Sequence, residues 1–104
     1  MPVTVEATAD ARLPAPVESA AYFVVSEALA NVAKYARATH ASVTVVRTNG
    51  HLTVEVADDG VGDADVVRGS GLRGLADRLA ALDGTLSLDS PAGGGTRLRA
   101  KIPC

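Results

Sequence analysis

The stretch Val43-Thr44-Val45-Val46-Arg47-Thr48-Asn49-Gly50-His51-Leu52-Thr53-Val54-Glu55-Val56-Ala57, written VTVVRTNGHLTVEVA, decides the fold. Two runs rich in β-branched residues flank Asn49-Gly50. Asn-Gly supplies the two positive-φ residues of a type I′ turn, so the pair reads as a β-hairpin. In its second run Leu52, Val54 and Val56 face one way while Thr53 and Glu55 face the other, as in a half-buried strand. A second pair closes the chain. Thr85 to Asp89 and Thr96 to Ile102 flank Ser90-Pro91-Ala92-Gly93-Gly94-Gly95, with Leu98, Ala100 and Ile102 inward and Arg97, Arg99 and Lys101 outward.

Outside these hairpins, Val3 to Ala7 alternates and reads as a short strand. Arg12-Leu13-Pro14-Ala15-Pro16 breaks the chain, because proline lacks a backbone donor and restricts the residue before it. From Val17 to about Arg37 there is no glycine or proline. Val25, Ala28, Leu29, Val32 and Ala36 recur there at spacings of three and four, which predicts a long helix with that stripe facing the core. Leu72 to Leu82 reads as a second helix with Leu72, Leu75, Leu79 and Leu82 as its stripe and Gly84 as its C′ residue. The order β-α-β-β-α-β-β predicts a two-layer α/β sandwich of the α+β kind. Its sheet is mixed and mostly antiparallel, covered on one face by helices.

The 104 residues are expected to form a single domain spanning 1–104. An apolar fraction of 47% and a charged fraction of 21% describe a globular protein. Tyr22, Phe23 and Tyr35 are the aromatic residues, so the core must be built of Val, Leu and Ala. A net charge of −2 provides no basic footprint for nucleic acid, and no stacking platform for bases is visible. Cys104 is alone, which excludes a disulfide framework and a cysteine zinc site. No apolar run approaches the ~18 residues that span a bilayer, and no signal segment opens the chain. A cytoplasmic domain without direct membrane contact is expected.

Gly69-Ser70-Gly71-Leu72-Arg73-Gly74 matches the G-x-G-x-x-G dinucleotide fingerprint literally. That motif has meaning only directly after a strand and within a βαβ unit. Here the strand ends near Asp58, a polar loop intervenes, and the chain finishes in a hairpin instead of a second crossover. The dinucleotide reading fails on context. The glycines still stand at the entry of a helix, whose first amides lack partners and whose dipole favours an anion, so a phosphate is suited to them. The dipole supplies only ~0.3–2 kcal/mol, so other groups must give most of the affinity. Packing offers the alternative, in which Gly71 and Gly74 merely permit a tight turn and close approach.

Three further groups carry chemistry. Glu27, Asn31 and Lys34 lie at i, i+4 and i+7 and project from one polar face of the first helix. An acid, an amide oxygen and a cation there suit Mg²⁺ and phosphate. Asp58-Asp59-Gly60-Val61-Gly62 follows a strand at once; a carboxylate at a strand end accepts from a flat heteroaromatic amine, and the glycines make room for a ring. Taken alone it is also an ordinary acidic turn. Gly93-Gly94-Gly95-Thr96 leads into the last strand.

In this order the segments resemble the catalytic, ATP-binding domain of two-component sensor histidine kinases, within the gyrase, heat-shock chaperone, histidine kinase and mismatch-repair ATPase superfamily. Glu27-Ala28-Leu29-Ala30-Asn31-Val32-Ala33-Lys34-Tyr35-Ala36 resembles the N box, and Asp58-Asp59-Gly60-Val61-Gly62 the D-x-G-x-G box. Gly69-Ser70-Gly71-Leu72-Arg73-Gly74-Leu75 resembles the G-x-G-L-x-G box and Gly94-Gly95-Thr96 the terminal G-T. The short loop from Gly62 to Gly69 and the Ala76-Asp77-Arg78-Leu79 run are similar to the short-lid subfamily, whose usual partners are response regulators with helix-turn-helix output domains.

The resemblance implies a Bergerat-type ATP-binding fold and a role for each residue. Asn31 would hold the Mg²⁺ that bridges the ATP phosphates, and Lys34 would offer its charge to them. Asp58 would accept from the adenine amino group in a pocket shaped by Gly60 and Gly62. Gly69, Gly71 and Leu72 would form the lid hinge and the phosphate-holding helix start. Thr96 would reach adenine through water. Glu27 would polarise the nucleophile or steady the metal shell. Tyr35 stands where the family usually has histidine, leaving a phenol that can stack or hydrogen-bond at the nucleotide. The implied cofactors are ATP and Mg²⁺.

The acceptor of the γ-phosphoryl group in that family is a histidine on a separate dimerisation domain. His40 and His51 are this chain's histidines, and neither is placed on a helix with a following acid. The chain is therefore expected to be the catalytic domain alone, taken from a longer kinase with or without a membrane anchor, and to bind ATP or ADP as a monomer without phosphorylating itself. Its expected partners are the dimerisation and phosphotransfer domain of its own parent and, through the whole kinase, a response regulator. A serine kinase that sequesters a sigma factor, or a nucleotide-sensing module without catalysis, is the alternative from the same superfamily.

Overall fold

The computed structural model describes residues 3–7, 13–33, 38–48, 50–60, 72–91 and 93–104. Among the described residues seven elements follow in the expected order: β1 (Val3–Ala7), α1 (Ala15–Asn31), β2 (Ala41–Thr48), β3 (His51–Asp58), α2 (Leu72–Ala80), β4 (Thr85–Asp89) and β5 (Thr96–Pro103). The strands form one sheet in the order β1-β2-β3-β5-β4. β1 runs parallel to β2, as a strand reached through a helical crossover does, and every other pair is antiparallel. Thr48 faces His51 across a two-residue connection, and Gly50 takes φ +83°, as the Asn-Gly turn requires.

One face of the sheet is dry. Leu52, Val54 and Val56 of β3 and Leu98, Ala100 and Ile102 of β5 are buried against Val17, Ala20, Val24 and Ala28 of α1 and Leu75 and Leu79 of α2. The opposite face is polar. Glu55 there accepts from Arg99 at 2.8 Å and pairs with Arg97 at 3.2 Å, which offsets two of the three cations along β5.

Both helices depart from the sequence reading in informative ways. α1 begins at Ala15, not Val17, with Pro16 inside its first turn. Nothing is lost there, since the first amides of a helix have no intrahelical acceptors. The α-helix runs to Asn31 and is followed by π-helical backbone at Val32–Ala33, while residues 34–37, over which the expected helix continued, lie outside the described residues. The buried residues of α1 are Val17, Ala20, Val24 and Ala28, followed by Val32. Ala28 and Val32 belong to the expected stripe, Val25 and Leu29 are only half-buried, and Ala36 lies outside the described residues, so the buried face is shifted from the one expected. Ala and Val surround α1 on most sides, which leaves period 3.6 with too little contrast to fix the phase.

At the end of α2, Gly84 N donates to Leu79 O at 2.8 Å and Asp83 N to Ala80 O at 3.1 Å. That is the Schellman pattern with Asp83, φ +60°, at C′ and Gly84 one position later. Glycine is needed at 84 for space, because a Cβ would lie 2.8 Å from the Lys101 carbonyl oxygen. Gly74 lies in open space, so close packing does not account for it within the described residues.

Candidate functional site

The site is assembled at the end of the sheet where β3 leaves and β5 enters. Ala41, Asp58 and Thr96 stand side by side across β2, β3 and β5. Val32, the residue after Asn31, packs on Ala41. The C-terminal end of α1 is thereby set over the strand ends that carry Asp58 and Thr96.

Asp58 is half-buried, and its Oδ1 accepts from Gly60 N at 2.8 Å in a tight Asx turn. Its carboxylate has no other partner among the described residues. Thr96 Oγ1 shares a 2.7 Å hydrogen bond with Ser90 Oγ. Gly95 is buried with φ +79°, and a Cβ added to it would overlap the Asp58 carbonyl oxygen. The terminal G-T segment is therefore seated directly on the main chain of the D-x-G-x-G segment. The glycine makes that approach possible.

Glu27 and Asn31 are half-buried on one side of α1. The side-chain nitrogen of Asn31 is sealed from solvent and has no hydrogen-bond partner among the described residues. A buried donor left unmade costs about 1–3 kcal/mol, and such a group in a native fold calls for an explanation. A phosphate oxygen would satisfy it; with the amide turned over, the same position presents an oxygen to a hard cation. The donor set of Glu27 and Asn31 thus fits Mg²⁺ held jointly with phosphates. Among the described residues no three His, Cys, Asp or Glu side chains gather into a metal cluster of the protein's own.

Asp59 is the residue whose importance the sequence did not announce. Its Oδ1 accepts from Thr39 N at 2.8 Å and His40 N at 3.0 Å, and its Oδ2 from Thr39 Oγ1 at 2.5 Å. Asp59 N in turn donates to His40 O at 3.3 Å. The Thr39 hydroxyl first, then the His40 and Thr39 amides, hold its carboxyl below the ordinary carboxylate range. The doubled Asp58-Asp59 was the visible signal, but alone it reads only as an acidic turn. His40 Nε2 also lies 3.0 Å from Thr4 Oγ1 of β1, which places that histidine in a structural contact.

Glu27, Asn31, Asp58, Gly60 and Thr96 are thus located, and Leu72 opens α2. Lys34, Tyr35, Gly62, Gly69 and Gly71 lie outside the described residues.

A model of the family described as histidine kinase-, DNA gyrase B-, and HSP90-like ATPases matches residues 17–104. The chain belongs to that family. Among curated proteins, the oxygen sensor histidine kinase NreB of Staphylococcus carnosus (strain TM300) is 34% identical over 91 residues, covering 84% of this chain and 26% of the relative. The sensor histidine kinase YxjM of Bacillus subtilis (strain 168) is 29% identical over 90 residues, or 86% of this chain and 22% of that protein. This ATPase-family domain therefore spans about a quarter of the length of those relatives. Among solved structures, the blue-light activated histidine kinase of Erythrobacter litoralis EL346 superposes with a TM-score of 0.83 at 27% identity, covering 98% of this chain and 37% of that one. Acinetobacter baumannii histidine kinase AdeS, at 18% identity and a TM-score of 0.75 over 97% of this chain and 53% of its own, shares the fold. The mixed five-stranded sheet with two helices is the fold of histidine kinase ATPase domains. No helix among the described residues is long and apolar enough to cross a membrane.

Proposed function

We propose that this domain binds Mg-ATP as the catalytic unit of a sensor histidine kinase and donates the γ-phosphoryl group to a histidine on the dimerisation domain of its parent chain. The observation that carries this is the meeting, at one end of the sheet, of three things. They are an acid at a strand exit, a glycine–threonine pair seated on it, and a helix end with an unpartnered amide.

Asp58 accepts from the adenine amino group, with its carboxylate oriented by Gly60 N. Thr96, already bonded to Ser90, keeps oxygen lone pairs for water at the adenine edge. Asn31 would hold Mg²⁺, which when bound would supply charge neutralisation for the phosphates, and Glu27 would polarise the nucleophile or steady the metal shell. Lys34 offers a cation to the phosphates, and Tyr35 a phenol at the nucleotide. Gly60 and Gly62 would shape the adenine pocket, and Gly69, Gly71 and Leu72 would form the lid hinge and the helix start that holds phosphate. The protein's part in phosphoryl transfer is positioning and charge, so the acceptor must be brought in line by another domain.

The test is incubation of the chain with labelled ATP and Mg²⁺, alone and with the dimerisation domain of the same parent kinase. Label on that domain's histidine, and none on His40 or His51, is expected. Label on His40 or His51 of the isolated chain would overturn the division of labour.

A further inference from the structure

We infer that Asp59 is a positioning residue for the nucleotide site: it ties the connection between α1 and β2 to the exit of β3 and so holds Asp58 in register with the helix end that carries Asn31. The inference rests on the nucleotide reading above. Its structural basis is the direction of two neighbouring carboxylates. Asp58 faces the site and accepts only from Gly60 N among the described residues. Asp59 turns the other way and gathers three donors from Thr39 and His40, while its own amide donates back to His40. Four hydrogen bonds thus join segments 19 and 20 residues apart in sequence.

One of those segments leaves α1, the helix of Glu27 and Asn31, and the other carries the adenine-facing acid. Beyond the ladder pairs of Asp58 with Ala41 and Thr96 and the Asp59 amide bond to His40, the Asp59 side chain is what joins the β3 exit to the Thr39–His40 segment. Thr39, His40 and Asp59 are all exposed, so burial does not explain the arrangement. Exposed polar contacts add little to global stability. Fixing two halves of a site against each other is where such contacts have leverage, since small displacements of positioning groups weaken binding disproportionately.

Asparagine and alanine separate the tie from the charge. Asp59→Asn keeps an oxygen for the Thr39 and His40 amides and lets its NH₂ donate to the Thr39 hydroxyl. Asp59→Ala removes all three side-chain bonds, and Thr39→Val removes one. Each variant and the unaltered chain are titrated with ADP and Mg²⁺ by calorimetry well below their melting temperatures, which are measured alongside. ADP binding about tenfold weaker in Asp59→Ala, about two- to threefold weaker in Thr39→Val, and within about twofold of the parent in Asp59→Asn is expected, the size of one lost hydrogen bond or so at a binding site. Asp59→Ala binding ADP as tightly as the parent, with or without a lower melting temperature, marks a merely structural tie and overturns the proposal. So does Asp59→Asn as weak as Asp59→Ala. If Asp59→Ala does not fold, the Thr39→Val titration decides, and unchanged affinity there overturns the proposal. An unaltered chain that fails to bind ADP brings down the nucleotide reading itself, and the proposal with it.

Discussion

Gly93 and Gly95 provide a controlled experiment on why the last hairpin is built of glycine. Both take positive φ, +75° and +79°, so both pose the same left-handed strain to an added side chain. They differ in surroundings. A Cβ at Gly93 meets nothing within 4 Å, whereas at Gly95 it overlaps the Asp58 carbonyl oxygen and approaches the Asp58 carbonyl carbon to 3.4 Å. The left-handed conformation costs an alanine ~1–2 kcal/mol. Loss of freedom in the unfolded chain returns about 0.4–1 kcal/mol. Gly93→Ala is therefore expected to destabilise by about 1 kcal/mol or less. Gly95→Ala adds an overpacking cost of ~1–3 kcal/mol, because backbone atoms must move, for a total of about 2–4 kcal/mol. In a domain of this size each kcal/mol lowers the melting temperature by roughly 4–8 °C. Thermal unfolding followed by circular dichroism should place Gly95→Ala about 10–25 °C below the parent and Gly93→Ala within about 8 °C of it. Equal melting temperatures for the two variants would refute the claim that Gly95 is there for contact with Asp58.

Other expectations follow from local geometry. Asp83→Gly relieves a non-glycine residue at φ +60° and should raise stability by up to about 1 kcal/mol, while Gly84→Ala, which crowds the Lys101 carbonyl, should lower it by about 1–3 kcal/mol; denaturant midpoints check both. Gly74→Ala, in open space within α2, should stabilise by about 0.5–1 kcal/mol in the same assay. The Asp59 carboxyl lies below its ordinary value in the folded chain, so its stabilising contribution is complete above the unfolded value of 3.8 and is lost as pH falls through the lowered folded value. Acid unfolding of Asp59→Asn should accordingly show a shallower loss of stability below about pH 4 than the parent does; identical acid profiles would contradict it.

How much was legible depended on contrast. The strands of the two hairpins could be read because Leu52, Val54 and Val56, and Leu98, Ala100 and Ile102, alternate sharply with polar neighbours. Leu75 and Leu79 stood out against Arg73, Asp77 and Arg78 in the same way. α1 had no such contrast, so its existence was clear but its buried face was not. Its π turn at Val32–Ala33 has no sequence signature either. Asp58, Asn31 and Thr96 were picked out by their chemistry and by the order of the motifs. Asp59 was not, because its partners Thr39 and His40 are brought to it only by the pairing of β2 with β3. Gly95 read as a turn residue, since nothing in three consecutive glycines says which one meets another strand's backbone.

In the proposed function a single nucleotide is held between Asp58 and the Asn31 end of α1. Calorimetric titration with ADP, with and without Mg²⁺, tests it most directly when Asp58→Asn and Asn31→Asp are compared with the parent. The expected result is ADP binding by the parent that is abolished in Asp58→Asn, and that loses mainly its Mg²⁺-dependent part in Asn31→Asp. Full ADP affinity in Asp58→Asn, or tighter binding of NAD than of ADP by the parent, would contradict it.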